Sequence, residues 1–461
     1  MRAFLAGSAW RPSLVAVLFC GLMAALWIAG GASQSAEAGQ AVVRLVAAVV
    51  LVIALLLGQR PALAPARPVW VILTASCLLV AVQCVPLPPT IWQLLPGREV
   101  FAAAVPPGAS QPWRPLAIVP SAALNACFSL TVPLAMLLLL SMSSERDRRH
   151  LPAAMLAVVT AGALLGLLQM SGSTFDNPLI NETVGQASGN FANRNHFALF
   201  VALGCLLAPA WAFREGRVHM WRAGVGGGLV LLFVLIVLGT GSRAGLGLCT
   251  VALVLGLTMA HWGLHQLLRR LPRWVFPAIM TAFIVMVGIS VLASVTMNRA
   301  AGIERLRDID PGQDMRGLAL PVVLAMVRDY LPFGAGTGGF DPLFRLHEPL
   351  SLLRTTYLNH AHNDFLEIVL EAGIPGLLLL GAAIIWWGVE SFRMWRATPS
   401  RRVMLARFGS AMLLLVLLAS AFDYPARTPM MMAMIVVAAT WLSWGRERAP
   451  RPALPAEGRH L

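Results

Sequence analysis

"AVVRLVAAVVLVIALLLG", Ala41–Gly58, decides the architecture. Its 18 residues carry a single charge, at Arg44. At about 1.5 Å of rise per residue, such a run in helical form covers most of a hydrocarbon core roughly 30 Å thick. The pattern recurs at Ser13–Gly30 ("SLVAVLFCGLMAALWIAG") and at Ala223–Thr240 ("AGVGGGLVLLFVLIVLGT"). The whole chain is 58% hydrophobic and only 12% charged, far from the balance of a water-soluble domain. The sequence therefore predicts an all-α, polytopic integral membrane protein.

A window of about 20 residues finds about twelve spans. They centre on Leu22, Val50, Cys77, Ala135, Val159, Leu203, Leu232, Val254, Ile284, Leu380, Leu415 and Val436. One large loop, running from Met297 to Asn363, separates the ninth from the tenth. "GGASQSAEA" after the first run suits a signal-peptide cleavage site, but the length of that run predicts a retained span. With the N-terminus inside, one face receives Arg2, Arg11 and the segments 58–67, 143–150, 214–222, 265–274, 391–407 and 445–461. These hold 22 of the 35 basic residues, all of them arginine, as the positive-inside rule requires. The net charge of +14 is thus a topology signal rather than a nucleic-acid footprint. Both termini are expected in the cytoplasm, and the opposite face is periplasmic if the membrane is a bacterial inner membrane. Residues 1–113 form N-terminal spans and a first outer loop, 114–390 a core that includes loop 297–363, 391–445 the last spans, and 446–461 a cytoplasmic tail. The six cysteines (Cys20, Cys77, Cys84, Cys127, Cys205 and Cys249) lie in or beside apolar stretches and read as small apolar residues, not as a disulfide framework.

Four polar clusters fall on the outer face. "GNFANRNHFALF" (Gly189–Phe200) puts Asn193, Arg194, Asn195 and His196 at the mouth of the sixth span, where interfacial anchoring is an equal reading. "LGTGSRAGLG" (Leu238–Gly247) is so short a turn that Arg243 stays near the membrane surface, as a headgroup contact or an anion site. In Asp314–Phe340, apolar spacing predicts a helix over Met315–Tyr330 with Arg316 at its start. The "PFGAGTGGF" that follows lacks the Lys-Ser/Thr of a Walker motif and reads as tight turning. "LNHAHNDFLEIVLEAGIPG" (Leu358–Gly376) packs His360, His362, Asn363, Asp364, Glu367 and Glu371 before the tenth span. Helical spacing puts Asp364, Glu367 and Glu371 on one stripe, and the two histidines share a face if their segment is extended. A histidine beside acids at a water-accessible mouth suits a general base better than a metal pair. Chemistry alone leaves a transferase acting on a lipid-linked phosphate and a lipid binder without chemistry equally open.

These motifs, in this order and on one side of the membrane, resemble the O-antigen ligase/polymerase superfamily (the Wzy-C or WaaL-like domain). "RPLAIVPSAAL" (Arg114–Leu124) also looks like a segment that precedes that domain. The resemblance implies a metal-independent inner-membrane glycosyltransferase with a periplasmic site and no cofactor. Its donor would be a glycan on undecaprenyl pyrophosphate. Its acceptor would be a sugar hydroxyl of lipid A core or of another glycan. It further implies that His362 is the general base and that Arg243 and Arg316 hold the pyrophosphate, with Arg194 a further candidate. His360, Asn363, Glu367 and Glu371 would support them, the two glutamates by orienting or charge-tuning His362, with plain helix packing an equal reading for both. The tryptophan that often follows the loop arginine in this family is absent from "RGLALPVV". Ligase, chain polymerase and protein O-oligosaccharyltransferase share these motifs. A transporter or flippase of lipid-linked saccharide is the rival, weakened by the scarcity of mid-membrane charge, with Arg44 the clear candidate and Asp423 at an outer edge.

Overall fold

The computed structural model describes residues 12–34, 37–172, 177–180, 186–213, 219–270, 315–353 and 358–446, with isolated positions between 272 and 285. Outside the described residues lie the span expected at Ile284, the terminal Arg2 and Arg11, Arg214 and Arg217, the loop residues Arg299, Arg305, Arg307 and Arg354, and the tail beyond Arg446.

The described chain is helical apart from one short antiparallel pair, β1 (Pro86–Leu87) with β2 (Arg114–Pro115). Helices α1 (Leu14–Ala29), α2 (Ala38–Leu57) and α3 (Arg67–Gln83) open the bundle. Short α4 (Pro89–Trp92) and α5 (Glu99–Ala103) build the first outer loop. They are followed by α6 (Pro120–Ser129), α7 (Thr131–Met142), α8 (Glu145–Met170), α9 (Arg194–Ala212), α10 (Met220–Gly239) and α11 (Arg243–Arg270). After the undescribed stretch come α12 (Met315–Tyr330), α13 (Phe340–His347), α14 (Asp364–Arg396), α15 (Arg401–Ser420) and α16 (Pro429–Trp444). Among the described residues, nine helical segments are long and apolar enough to cross a membrane. Two shorter apolar helices, α1 and α16, carry the centres expected at Leu22 and Val436.

Burial sorts these helices. Helix α9 is the innermost, 89% buried along its apolar window, while α10 is 22% buried. Leu45, Leu55, Leu56, Leu78 and Ile385 point out of the bundle. For a span this is no penalty, because lipid tails are as apolar as leucine. The main core joins α1, α2, α7, α8, α9, α15 and α16. A second, separate cluster (Ala319, Val323, Met326, Tyr330, Phe340, Leu343, Phe344, Leu370) packs α12 and α13 onto the start of α14. The described part of the large loop is therefore a helical layer with its own apolar seam. Helix α12 covers the range its spacing predicts.

Two devices fasten that layer. Arg98, 1% exposed, donates to the carbonyls of Pro96 (2.8 Å), Leu116 (2.8 Å) and Gly334 (2.9 Å), joining the first outer loop to the glycine-rich turn. Its burial pushes the guanidinium down to about 10, against the opposing charges of Tyr330 and Glu99. The glycine-rich turn itself spends its amides within the fold. Ala335 donates to Leu370 O (2.9 Å), Gly336 to Glu371 O (2.9 Å) and Gly338 to Glu371 Oε1 (2.7 Å). It is a packed turn, in line with its sequence.

The turn also kinks α14. Gly373 sits at φ 59°, ψ −148°, inside an otherwise helical run. A Cβ there would stand 2.1 Å from Pro332 O. Gly373→Ala is accordingly expected to cost at least the roughly 1–3 kcal/mol of a strained non-glycine conformation, read as a lower thermal midpoint of the purified protein.

Candidate functional site

The polar residues converge on a turn between α15 and α16, "DYPARTP", Asp423–Pro429. Asp423 is its hub and is 4% exposed. Its carboxylate accepts from Asn195 Nδ2 (2.7 Å), from Asn193 Nδ2 (3.2 Å to each oxygen) and from the Tyr424 amide (3.0 Å). His362 Nδ1 lies 3.0 Å away, His196 Nε2 3.5 Å and Arg316 Nη2 3.4 Å. Burial alone would raise this carboxyl, but the hydrogen bonds and charges of His196 and His362 hold it well below the usual carboxylate range.

An ionised carboxylate can only accept. Nδ1 of His362 is therefore the nitrogen that donates to Asp423, and Nε2 is the ring nitrogen this contact leaves uncommitted. Local sequence explains how the ring is held. Asn363 caps α14, accepting from Leu366 N (3.1 Å) and donating to Ala421 O (3.2 Å). That double anchorage fixes His362 at φ 51°, in the left-handed region that non-glycine residues adopt at a cost of roughly 1–2 kcal/mol.

Three helix starts meet here. Asn193 caps α9, accepting from Asn195 N (2.8 Å). Ser242 accepts from Gly245 N (2.9 Å) in the first turn of α11 and donates to Asn195 Oδ1 (2.7 Å). Helix α14 begins two residues after His362. The starts of α9 and α14 thus flank one buried carboxylate, and that of α11 is linked to it through Asn195.

A second cluster is built on Arg427. Its guanidinium reaches Glu371 Oε2 (2.8 Å), Glu367 Oε1 (3.3 Å) and Asp364 Oδ1 (3.5 Å). All three acids are buried, and they are the i, i+3, i+7 stripe that helical spacing predicts. Glu367 also takes His360 Nδ1 (2.7 Å) and the Ala361 amide (2.8 Å), while Asp364 accepts from Ser420 Oγ (2.8 Å). Burial would weaken the charge on Arg427, yet Glu367, Glu371 and Asp364 outweigh it and hold the guanidinium above its ordinary value. Tyr424, 4% exposed, sits among three imidazoles, with ring centroids 4.8 Å from His196, 4.3 Å from His360 and 4.9 Å from His362. Asn359 Nδ2 donates to its hydroxyl (3.3 Å).

The expected site residues fall into three groups. His362 and Arg316 meet on Asp423, and Arg316 also donates to Phe422 O (3.0 Å) while 38% of its side chain stays exposed. Arg194 and Arg243 are the first residues of α9 and α11, next to Asn193, Asn195 and Ser242 of the Asp423 network. Arg243 is exposed, and Arg194 is half-buried. His360, Glu367 and Glu371 belong to the Arg427 cluster. One sequence expectation is corrected. Glu367 and Glu371 do not orient His362, since they bond His360, Arg427 and the Gly338 amide. His360 and His362 reach different carboxylates, Glu367 and Asp423, with His362 in the left-handed region.

Asp423, Tyr424 and Arg427 went unrecognised as site residues. Their one signal was compositional, four polar side chains (with Thr428) inside a seven-residue turn between two apolar helices. Among the described residues, no group of three or more His, Cys, Asp or Glu is arranged to hold a metal ion. Next to the Arg427 cluster opens a cavity of about 940 Å³ between α2, α3, α6, α7, α14, α15 and α16.

No curated protein matches the chain. Residues 228–381 match the family model described as O-Antigen ligase (Wzy_C), a stretch that contains Arg243, Arg316, His360, His362, Glu367 and Glu371. Residues 228–381 are thus similar to the O-antigen ligase family, within a helical, multi-pass membrane protein.

Proposed function

We propose that this protein transfers a glycan from undecaprenyl pyrophosphate to an acceptor sugar hydroxyl, on the periplasmic side of a bacterial inner membrane. The family match supports glycan transfer of the O-antigen ligase or polymerase type. The observation that carries the finer reading is the 3.0 Å contact between His362 Nδ1 and a buried, ionised Asp423. In this reading Nε2 of His362 takes the proton of the acceptor hydroxyl as its oxygen attacks the anomeric carbon. The glycosyl–phosphate bond breaks, and the pyrophosphate leaves on its lipid with the bonding pair. Asp423 fixes the ring and offsets the positive charge the imidazole acquires. Arg316, with Arg243 and Arg194, binds the pyrophosphate and stabilises the charge that grows on it as it departs.

The test uses purified protein in liposomes, with a polyprenyl-pyrophosphate glycan and a lipid-anchored glycan acceptor. The expected result is a longer glycan on the acceptor and stoichiometric release of polyprenyl pyrophosphate. Movement of the donor across the bilayer with no transfer would instead make the protein a transporter.

A further inference from the structure

The 940 Å³ cavity is lined by His360, Asp364, Glu371 and Arg427, but not by Arg194, Arg243, Arg316, His362 or Asp423. It is therefore distinct from the network proposed to carry the transfer. Its charged lining is almost fully paired. Asp364 and Glu371 are paired with Arg427, Asp341 with Arg345 (2.7 Å), and His360 with Glu367.

Arg44 is the exception. It belongs to α2, within an apolar span, where an arginine is costly and is usually matched by an acid. Its hydrogen-bond partners are amides: Asn125 Oδ1, and Gln40 Oε1 at 3.1 Å. Arg44 makes no ion pair with a described carboxylate, and its Nε is buried with no hydrogen-bond partner among the described residues. Along the remaining walls the cavity is oily, with Ile72, Leu79, Leu379, Ile384, Val416 and Trp387.

A cation matched only by neutral amides, at one place in a long apolar cavity, is complementary to an anionic head on a hydrocarbon tail. The planar guanidinium fork suits phosphate oxygens. A volume near the top of the roughly 300–1,000 Å³ range of ligand sites suits a chain rather than a free ion. We infer that this cavity binds a phosphate-headed lipid, with the phosphate on Arg44 and the hydrocarbon chain between α3 and α14. The inference concerns occupancy of the cavity and does not depend on the transfer reaction.

Native mass spectrometry of the purified chain in detergent tests it. The probes are polyprenyl phosphate, dioleoyl phosphatidic acid, neutral dioleoylglycerol and inorganic phosphate. At least one phosphate lipid is expected to bind, and Arg44→Gln to weaken it roughly 10–100-fold, the worth of a charge-assisted hydrogen bond. Preference for polyprenyl phosphate would identify a carrier lipid, and preference for phosphatidic acid a bilayer lipid; both support the inference. Arg44→Lys should keep most of the binding. Ala383→Phe, which fills the apolar wall with Arg44 intact, should remove it even if Arg44→Gln fails to fold. His362→Ala should bind as wild type does, which separates this inference from the catalytic reading. Equal binding of dioleoylglycerol, binding of inorganic phosphate as tight as that of the lipids, or unchanged binding in both Arg44→Gln and Ala383→Phe would overturn it.

Discussion

Asp423→Asn is expected to lower glycan transfer by about 10²–10⁴-fold, the range a positioned general base contributes. Asparagine is nearly isosteric and can still bond Asn193 and Asn195, so the fold should survive. It carries no charge, however, and no longer forces the His362 proton onto Nδ1. His362→Ala is expected to cost as much. The double variant should be little worse than either single one, because both remove the same device and coupled residues are not additive. Fully additive losses, or an Asp423→Asn enzyme within about threefold of wild type, would break the link between the two side chains. The pH dependence has a defined sign. Asp423 titrates lower in the folded chain than its ordinary value of about 3.9, so its stabilising contribution is complete above that pH. The contribution fades only as the pH falls below it. A change in transfer between about pH 5 and 8 thus lies outside the titration of this carboxylate.

Arg427→Ala is expected to have the largest effect on stability. Its side chain is 16% exposed, and it faces three carboxylates that are at most 4% exposed. Removing the cation that, among the described residues, bridges all three leaves them buried and mutually repelling. Breaking a buried ion pair from one side typically costs about 3–5 kcal/mol. In purified protein this should lower the thermal midpoint by on the order of 10 °C. Arg427→Lys should recover only part of the loss, since one ammonium cannot span acids on successive turns as the planar fork does. By contrast, Arg393 and Arg446, which reach Glu390 with side chains about half exposed, should matter far less. A midpoint for Arg427→Ala within about 1 °C of wild type would mean that the acids do not depend on the arginine.

Features set by local periodicity were legible in the sequence. The apolar runs mark the spans, the spacing after Met315 gives α12, and the i, i+3, i+7 rule puts Asp364, Glu367 and Glu371 on one face. The pairing of those side chains was not legible. His362 and Asp423 are 61 residues apart, and nothing in either segment specifies the other. Glu367 and Glu371 were candidates to orient His362 because they are close to it in sequence. A positive φ at His362 turns the ring away, and local spacing does not encode that turn. Arg98 was likewise invisible, since its three carbonyl partners come from segments up to 236 residues away. Arg44 stood out by its position in a span, but its purely amide partners became evident only once α2 was packed against α6.

The most direct test of the His362–Asp423 reading is the rate at which polyprenyl pyrophosphate is released from a lipid-linked glycan in the presence of acceptor. It should be measured for wild type, His362→Ala and His360→Ala at matched folding. The expected result is a loss of about 10²–10⁴-fold in His362→Ala and a much smaller loss in His360→Ala, whose ring bonds Glu367 instead of Asp423. Wild-type release from His362→Ala would contradict the account.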